Sequence, residues 1–433
     1  MRICALNDEE LHNLYSDTIY SPISDRKLFR AENLVILTTL TLVFTGYSAA
    51  YLFTSLFLLQ AKDSSLLFVG AIYLITGAVD IALQTIGGRL SDILGTKTVT
   101  SAGLTGSIIL YLTLMLSVEF NVQSGYYLVE FPLLSLFIGL FLMAISSHVS
   151  DRDVSEMAEG MSLLYVGGNF GYTLGPIIGG IIVTYSGYKS LFVLGFILSL
   201  ASMVVILQGI KANPKFAARM SGTESVQGKK DTLKPGVMML IVLIFISWFA
   251  IAYQAIPLST FESKFLNISS LDIGILLGTN GALITVFQSA VSRRIGIERN
   301  RKLYSVAFGS LMMAIGYLVV SYAKSFSVLE IAITLTTFGE IMIAVPTQVV
   351  LTMFSVRHNR GRYQGYYFAA SRSGSSISVF FALVVFSFLG AEFVRGWYIV
   401  AAICIIAGIS YAILSRTIER EYRAATEILI HKE

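Results

Sequence analysis

Three ionisable side chains lie within long apolar stretches of the sequence. Asp80 and Glu340 each sit near the middle of such a stretch, and Arg372 lies well inside another. Burying a charged group at mid-depth in a membrane helix costs roughly 2.5 to 3.5 kcal/mol, so such residues usually serve a function or a specific contact. A carboxyl group there can carry a proton, and a guanidinium can bind an anion or neutralise a carboxylate.

Glu340 and Arg372 would lie at similar depth if their stretches are helices. At a rise of about 1.5 Å per residue, each is roughly 15 to 20 Å from the loop between them. We predict a buried ion pair, which protonation of Glu340 would break, freeing Arg372 to bind an anion or reorient. Asp80 has no base near it in sequence, and burial favours a neutral carboxyl, so it is a second proton-coupling candidate. For both acids the alternative is a structural contact between helices.

Polar and aromatic residues in the same stretches are candidates to line a central cavity. The chain has 22 Tyr and 28 Phe residues, which suit an amphipathic or aromatic ligand. The alternative, packing in the core or against lipid, must hold for most of them. The candidates are Tyr47, Tyr51, Tyr165, Asn169, Tyr172, Tyr253, Gln254, Asn280 and Gln288.

Apolar helices are the elements that must position these residues. Of 433 residues, 55% are hydrophobic and 13% charged, with a mean hydropathy of +0.72, a composition that excludes an ordinary soluble domain. Apolar runs near the roughly 20 residues that a spanning helix needs recur along the chain. We predict an all-α membrane protein whose twelve transmembrane helices lie at 33–61, 65–88, 98–118, 131–148, 161–185, 190–209, 236–261, 271–291, 303–323, 328–353, 363–388 and 396–415.

Lys and Arg are distributed unequally between the predicted loops. Of the 31, only five lie in odd-numbered loops: Lys62, Lys189, Lys264, Lys324 and Arg395. The positive-inside rule therefore places both termini in the cytoplasm of a multi-pass cell-membrane protein. The acid-rich first 32 residues do not fit a secretory signal. The net charge of +4 reflects this orientation, and with no basic stripe carrying aromatics we expect lipid contact but no nucleic-acid partner.

The longest internal polar gap divides the predicted helices into two sets of six. A shift of 201 residues places Gly95 on Gly296, as expected of a duplicated design. We therefore predict two pseudo-symmetric bundles with a ligand near the midplane between them. The expected parts are a cytoplasmic N-terminal tail (1–32), a six-helix bundle (33–210), a cytoplasmic linker (211–235), a second six-helix bundle (236–415) and a cytoplasmic C-terminal tail (416–433).

A polar motif separates the second and third apolar stretches and contains Gly88, Asp92, Gly95 and Lys97. It resembles the loop motif G-x-x-x-D-R-x-G-R-R of the major facilitator superfamily, although Ile93 and Thr96 replace two of its bases. The resemblance implies a twelve-helix fold and a cytoplasmic latch. Asp92 would meet the free amide groups that begin the eleventh helix, or Arg360 or Arg362. The alternative is an ordinary solvated turn.

The fifth apolar stretch carries a second motif, G-x-x-x-G-P-x-x-G-G, formed by Gly171, Gly175, Pro176, Gly179 and Gly180. It resembles the motif of superfamily exporters that exchange substrate for a proton, and the sequence around Glu340 resembles the tenth helix of drug/proton antiporters. The resemblance implies antiport. Small residues four apart also allow close helix packing, so the alternative is that they serve packing alone.

These features predict a secondary transporter that works by alternating access and exports a small amphipathic or organic solute in exchange for protons. A proton symporter or facilitator for a small metabolite is an alternative, and a non-transporting receptor or scaffold is another. We find no HExxH, GxSxG or nucleotide-binding motif, so we expect neither an enzyme nor a cofactor or metal site. The expected partners are a small-molecule substrate, protons and lipid, and we expect a monomer.

Overall fold

The structure is a computed structural model that describes residues 31–150, 154–209, 235–296, 299–354, 360–389, 392 and 394–430. Within these residues, twelve helical segments are long and apolar enough to cross a membrane, which confirms the predicted fold class. They are α1 (Ala31–Leu56), α2 (Leu66–Leu94), α3 (Thr96–Glu119), α4 (Tyr127–Ser150), α5 (Val154–Ser186), α6 (Lys189–Gly209), α7a (Pro235–Tyr253) with α7b (Ile256–Phe265), α8 (Ser270–Ile295), α9 (Arg299–Ser321), α10 (Phe326–Met353), α11 (Arg360–Leu389) and α12 (Val394–Ile430).

Successive helices run in opposite directions, so their ends form two faces of the molecule. We call the face where α1 begins and α12 ends the terminal face, and the opposite one the distal face. A π-helical turn at Phe57–Ala61 extends α1 at the distal face, and α12 continues to Ile430, past the predicted end of its span. The predicted N-terminal tail and central linker lie almost wholly outside the described residues.

The motif predicted as a loop between the second and third spans is largely helical. α2 continues to Leu94, and α3 begins at Thr96, so Gly95 alone forms the turn. Its φ of 81° is a conformation that glycine adopts without strain. Gly296, at the corresponding position of the second bundle, ends α8 with a φ of 76°. A glycine with a positive φ thus ends the helix at equivalent positions of the two bundles.

The seventh span is broken, although the sequence predicts one continuous helix. α7a ends at Tyr253 and α7b begins at Ile256, and Ala255 between them has φ −97° and ψ −99°. Pro257, in the first turn of α7b, lacks an N–H group and restricts the residue before it. Irregular backbone at membrane depth is tolerated where protein surrounds it, and Gln254 at this break is only 6% exposed.

An aromatic cluster packs the distal part of the second bundle. Trp397 lies at its centre, and its ring centroid is 5.1 Å from that of Tyr253 and 5.2 Å from that of Phe261. Tyr253 is fully buried there. This residue, predicted to line the cavity, is therefore a core residue, because the end of α7a turns its ring toward α12.

Candidate functional site

Two residues of opposite charge line one small cavity between the bundles. The cavity has a volume of about 50 Å³, and Asp80 on α2 and Arg372 on α11 both line it, together with Phe44, Tyr47, Ser135 and Tyr172. The Asp80 carboxylate accepts a hydrogen bond of 2.6 Å from the Ser135 hydroxyl. Asp80 and Arg372 interact electrostatically, so a charge from the second bundle enters a cavity formed mainly by the first.

Close packing of α2 and α11 explains how Arg372 reaches this cavity. A methyl group at Gly77 would lie 1.6 Å from the Ser376 hydroxyl oxygen. Gly77 is about one helical turn from Asp80, and Ser376 is about one turn from Arg372. The missing side chain at Gly77 therefore allows the two helices to approach beside the charged pair.

Tyrosine rings form much of the surroundings of this pair. Tyr47 and Tyr51 on α1 stack with centroids 5.3 Å apart, and Tyr172 on α5 lies 5.3 Å from Phe44. Tyr47, Tyr51 and Tyr172 all interact electrostatically with Arg372. Aromatic rings this close to the charged pair offer flat apolar surface to a ligand.

Glu340 on α10 occupies a separate polar site at the boundary between the bundles. Its Oε2 atom accepts hydrogen bonds from the Gln254 amide and, at 3.1 Å, from the Asn280 amide. Asn280 also donates to the Thr337 hydroxyl at 2.9 Å. Tyr165 of the first bundle interacts electrostatically with Glu340. The break after α7a is thus the local feature that presents Gln254 to the carboxylate.

The predicted ion pair between Glu340 and Arg372 is not formed among the described contacts. Glu340 faces α7a and α8, whereas Arg372 faces Asp80 on α2. The depth of the two residues was the basis of the prediction, but depth does not fix the direction in which a side chain leaves its helix. Asp80, which has no base near it in sequence, is the acid that meets Arg372.

The glycine motif of α5 packs against two different helices. A methyl group at Gly175 would lie 1.9 Å from the Ser48 hydroxyl oxygen on α1, and one at Gly171 would lie 2.6 Å from the Phe44 Cβ. Gly180 instead faces α8, where a methyl group would lie 2.6 Å from the Ser270 carbonyl oxygen. The motif therefore allows α5 to pack tightly on α1 within the first bundle and on α8 of the second bundle.

Gln60 joins the two bundles at the distal face and is supported from within the first bundle by Tyr188. The Gln60 amide donates to the Ser263 hydroxyl on α7b at 2.6 Å, and the Tyr188 hydroxyl donates to Gln60 Oε1 at 2.5 Å. Burial raises the pKa of Tyr188 to about 12, so its phenol stays protonated and can donate at neutral pH. The Gln60–Ser263 bond and the contact of Gly180 with α8 therefore join the two bundles on the distal side.

Comparison with known proteins assigns this architecture to a family. The sequence profile of the Major Facilitator Superfamily matches residues 36–379. The chain belongs to the Major Facilitator Superfamily. It is 20% identical over 349 residues to an uncharacterized MFS-type transporter of Bacillus subtilis (strain 168), YttB, covering 80% of this chain and 86% of that protein. It is therefore a multi-pass membrane transporter of this superfamily.

Solved structures of other transporters share the fold of this superfamily member. The peptide transporter POT has 15% identity and a TM-score of 0.74, covering 94% of this chain and 98% of its own. The human organic anion transporter MFSD10 (TETRAN) has 15% identity and a TM-score of 0.63, covering 87% and 98%. A bacterial homologue of the iron transporter ferroportin, in an inward-facing state, has 16% identity and a TM-score of 0.66, covering 90% and 99%.

Several site predictions for this superfamily transporter rest on side chains outside the described residues. The backbone of α2 is helical through Gly88 and Asp92, but the side chain of Asp92 and that of Arg360 are not described. Lys97 donates to the Leu207 carbonyl at 3.3 Å, which ties the start of α3 to α6. The latch centred on Asp92 stays a prediction.

Other cavity candidates of the transporter make local contacts. Asn169 donates to the Tyr165 carbonyl at 2.8 Å, one turn earlier on α5. Gln288 donates to the Ile341 carbonyl at 3.2 Å, beside Glu340, and the Tyr165 hydroxyl donates to Gln288 at 3.5 Å. Tyr165 and Gln288 therefore surround the Glu340 site, while Asn169 supports α5.

Sequence reasoning missed Ser135 and two buried acids of this transporter. Ser135 is an ordinary small residue in an apolar stretch, and only the fold brings it to Asp80. Glu262 on α7b is 1% exposed and interacts electrostatically with Glu330 on α10, which accepts a 2.8 Å hydrogen bond from Thr279. Both acids lie at the boundaries of the predicted spans, where an acid usually signals a helix end.

Proposed function

We propose that this protein is a proton-coupled exporter of small amphipathic organic solutes that works by alternating access. The observation that carries the proposal is the environment of Glu340. Its carboxylate lies between the bundles and receives hydrogen bonds from two neutral amides, those of Gln254 and Asn280. Among the described contacts no cation neutralises it. A proton, or a cationic group of a solute, would compensate this charge.

Competition for one carboxylate gives a physical route to exchange. A proton and a cationic solute group cannot both neutralise the same carboxylate, so loading one favours release of the other. Asp80 offers a second carboxyl whose charge is already balanced in part by Arg372. Protonation of Asp80 would change the attraction between α2 and α11 and could bias the position of the bundles.

The proposed direction, export, is supported by two observations. The α5 motif meets each position of the pattern that resembles superfamily proton antiporters. On the distal side, the bundles are in contact through the Gln60–Ser263 bond and through Gly180 against α8. With both termini in the cytoplasm of the cell membrane, as the distribution of Lys and Arg predicts, the distal face is the outer one, and contacts between the bundles there are expected of a conformation that loads solute from the cytoplasm.

Reconstitution tests the proposal directly. The full-length chain is placed in liposomes with a panel of fluorescent amphipathic solutes, a proton gradient is imposed, and solute flux and internal pH are followed together. We expect solute and protons to move in opposite directions, and an ionophore to abolish uphill flux. Movement in the same direction would identify a symporter, and indifference to the gradient a facilitator. Absence of flux for the whole panel would contradict transport of this class and favour a receptor or scaffold.

A further inference from the structure

Arg372 presents unused hydrogen-bond donors to the cavity. A guanidinium carries five N–H donors, yet no described residue accepts a hydrogen bond from the side chain of Arg372, which contacts Asp80 and three tyrosines only through electrostatic interactions. Its side chain is accessible within the cavity. A charged group with open donors is suited to bind an anionic group such as a carboxylate, which it can hold through two parallel hydrogen bonds.

Asp80 supplies the opposite charge in the same cavity. It is held by one short hydrogen bond from Ser135, and among the described residues it forms no direct ion pair with Arg372. The two charges therefore line one small space while each remains free to bind a group of opposite sign. A solute with a single charge would be attracted by one of them and repelled by the other.

The dimensions of the cavity limit what it can hold. About 50 Å³ gives room for a few water molecules, which matches a charged head group rather than a whole solute. The body of a bound solute must therefore extend beyond the cavity. The rings of Phe44, Tyr47 and Tyr172 line the cavity itself, and Tyr51 stacks on Tyr47, so the start of that body meets an aromatic surface next to the charges.

We infer that the transported solute is a zwitterion with an aromatic or apolar body, whose carboxylate binds Arg372 and whose ammonium group binds Asp80. This inference rests on the proposed function, because it takes the cavity as a substrate site. The charge-balanced head group satisfies both residues and leaves neither exposed to a like charge. Its ammonium group and a proton would compete for Asp80, in keeping with exchange.

Three compounds that share one body test the inference: L-phenylalanine, its methyl ester and its N-acetyl derivative. At pH 6 these present a zwitterion, a cation and an anion. Binding to the full-length protein in lipid nanodiscs, without any gradient, is measured by isothermal titration calorimetry. We expect the zwitterion to bind at least about tenfold more tightly than either of the others, which corresponds to one strong polar contact.

Charge-neutral variants identify which residue binds the carboxylate of the solute and which binds its ammonium group. Arg372→Gln should make the zwitterion and the ester bind equally well. Asp80→Asn should make the zwitterion and the N-acetyl compound bind equally well. A variant that still binds one compound is folded, so loss of selectivity can be separated from loss of structure. Glu130→Gln is the matched control, because this buried acid of α4 contacts Ser117 and does not line the cavity. It should keep wild-type selectivity.

Equal binding of the three compounds, tighter binding of the ester or the N-acetyl compound, or binding of none would overturn the inference. Proton-coupled flux in liposomes is measured separately. Selective binding without proton-coupled flux would leave the zwitterion site in place and contradict the proposed function. Proton-coupled flux at the same rate for all three compounds would support the proposed function and contradict the zwitterion site.

Discussion

Arg372 of the second bundle lies in the same cavity as Asp80 of the first. The two groups interact electrostatically, and the Ser135 hydroxyl fixes the carboxylate from a third helix. A charge interaction that crosses the boundary between bundles changes whenever the bundles move relative to one another. Protonation of Asp80 and movement of the bundles are therefore expected to influence each other.

A double-mutant cycle on Asp80→Asn and Arg372→Gln should show coupling between the two residues. Either single change leaves one charge unbalanced in the membrane interior, whereas the double change removes both, so its destabilisation should be smaller than the sum by about 0.5 to 3 kcal/mol. Thermal unfolding in detergent provides the measurement. The exposed pair Lys189 and Glu119, 2.6 Å apart, is the control and should show coupling of roughly 0 to 1 kcal/mol. Additive effects at Asp80 and Arg372 would refute the interaction.

Glu340→Gln should uncouple transport from protons. The amide resembles a protonated carboxyl and cannot release a proton, so solute should still equilibrate downhill while uphill flux driven by a proton gradient is lost. Solute and proton fluxes in liposomes measure both effects. Glu130→Gln, again the control, should retain coupled flux. Full uphill transport by the Glu340 variant would exclude this residue as the coupling group.

Gly180→Val should trap the transporter with its distal face open. Any side chain at this position would enter the space of the Ser270 carbonyl, 2.6 Å from the added methyl group. A cost of about 1.4 kcal/mol to the closed conformation changes its population relative to the open one tenfold. We expect at least that reduction in transport rate, while solute binding from the distal side persists. A wild-type transport rate for Gly180→Val would show that closing the distal face does not require Gly180 to contact Ser270.

Gly175→Val should destabilise the first bundle itself. The added Cβ alone would lie 1.9 Å from the Ser48 hydroxyl oxygen and 2.7 Å from the Thr45 carbonyl oxygen, and the valine methyl groups add further bulk. Overpacking of this kind costs about 1 to 3 kcal/mol, so the melting temperature should fall. Gly365→Ala, where nothing lies within 4 Å of an added methyl group, is the helical control and should melt at or above the wild-type temperature. An unchanged melting temperature for Gly175→Val would contradict the packing of α1 on α5.

Cysteine labelling should distinguish the two faces in intact cells. Phe120 at the distal face is 75% exposed and Ile93 near the terminal face is 62% exposed. In a Cys4→Ser background, a membrane-impermeant maleimide should label Phe120→Cys from outside, and Ile93→Cys only after permeabilisation. Buried Cys404 should stay unreacted. The opposite pattern would invert the predicted orientation.

The α5 glycines and the Gly95 turn illustrate how much of the fold the sequence predicts. Apolar runs of membrane length predict twelve spans because a bilayer demands continuous helices. The sequence predicts a polar loop around Gly95, whereas the structure confines the turn to Gly95 itself, whose positive φ few other residues tolerate. The sequence did not predict the full extent of α2, because polar residues can continue a helix when neighbouring helices pack on it. It did not predict the break after α7a, because a proline there is also compatible with the first turn of a helix.

The sequence by itself placed Asp80, Glu340 and Arg372 within membrane helices, because the stretches around them are apolar and of spanning length. Only the tertiary structure decided which residues they meet. Helices far apart in sequence become neighbours, and the direction of each side chain depends on the rotation of its helix, which depth does not specify. Arg372 therefore meets Asp80, nearly 300 residues away, while Glu340, close to Arg372 in sequence and at similar depth, binds the amides of Gln254 and Asn280.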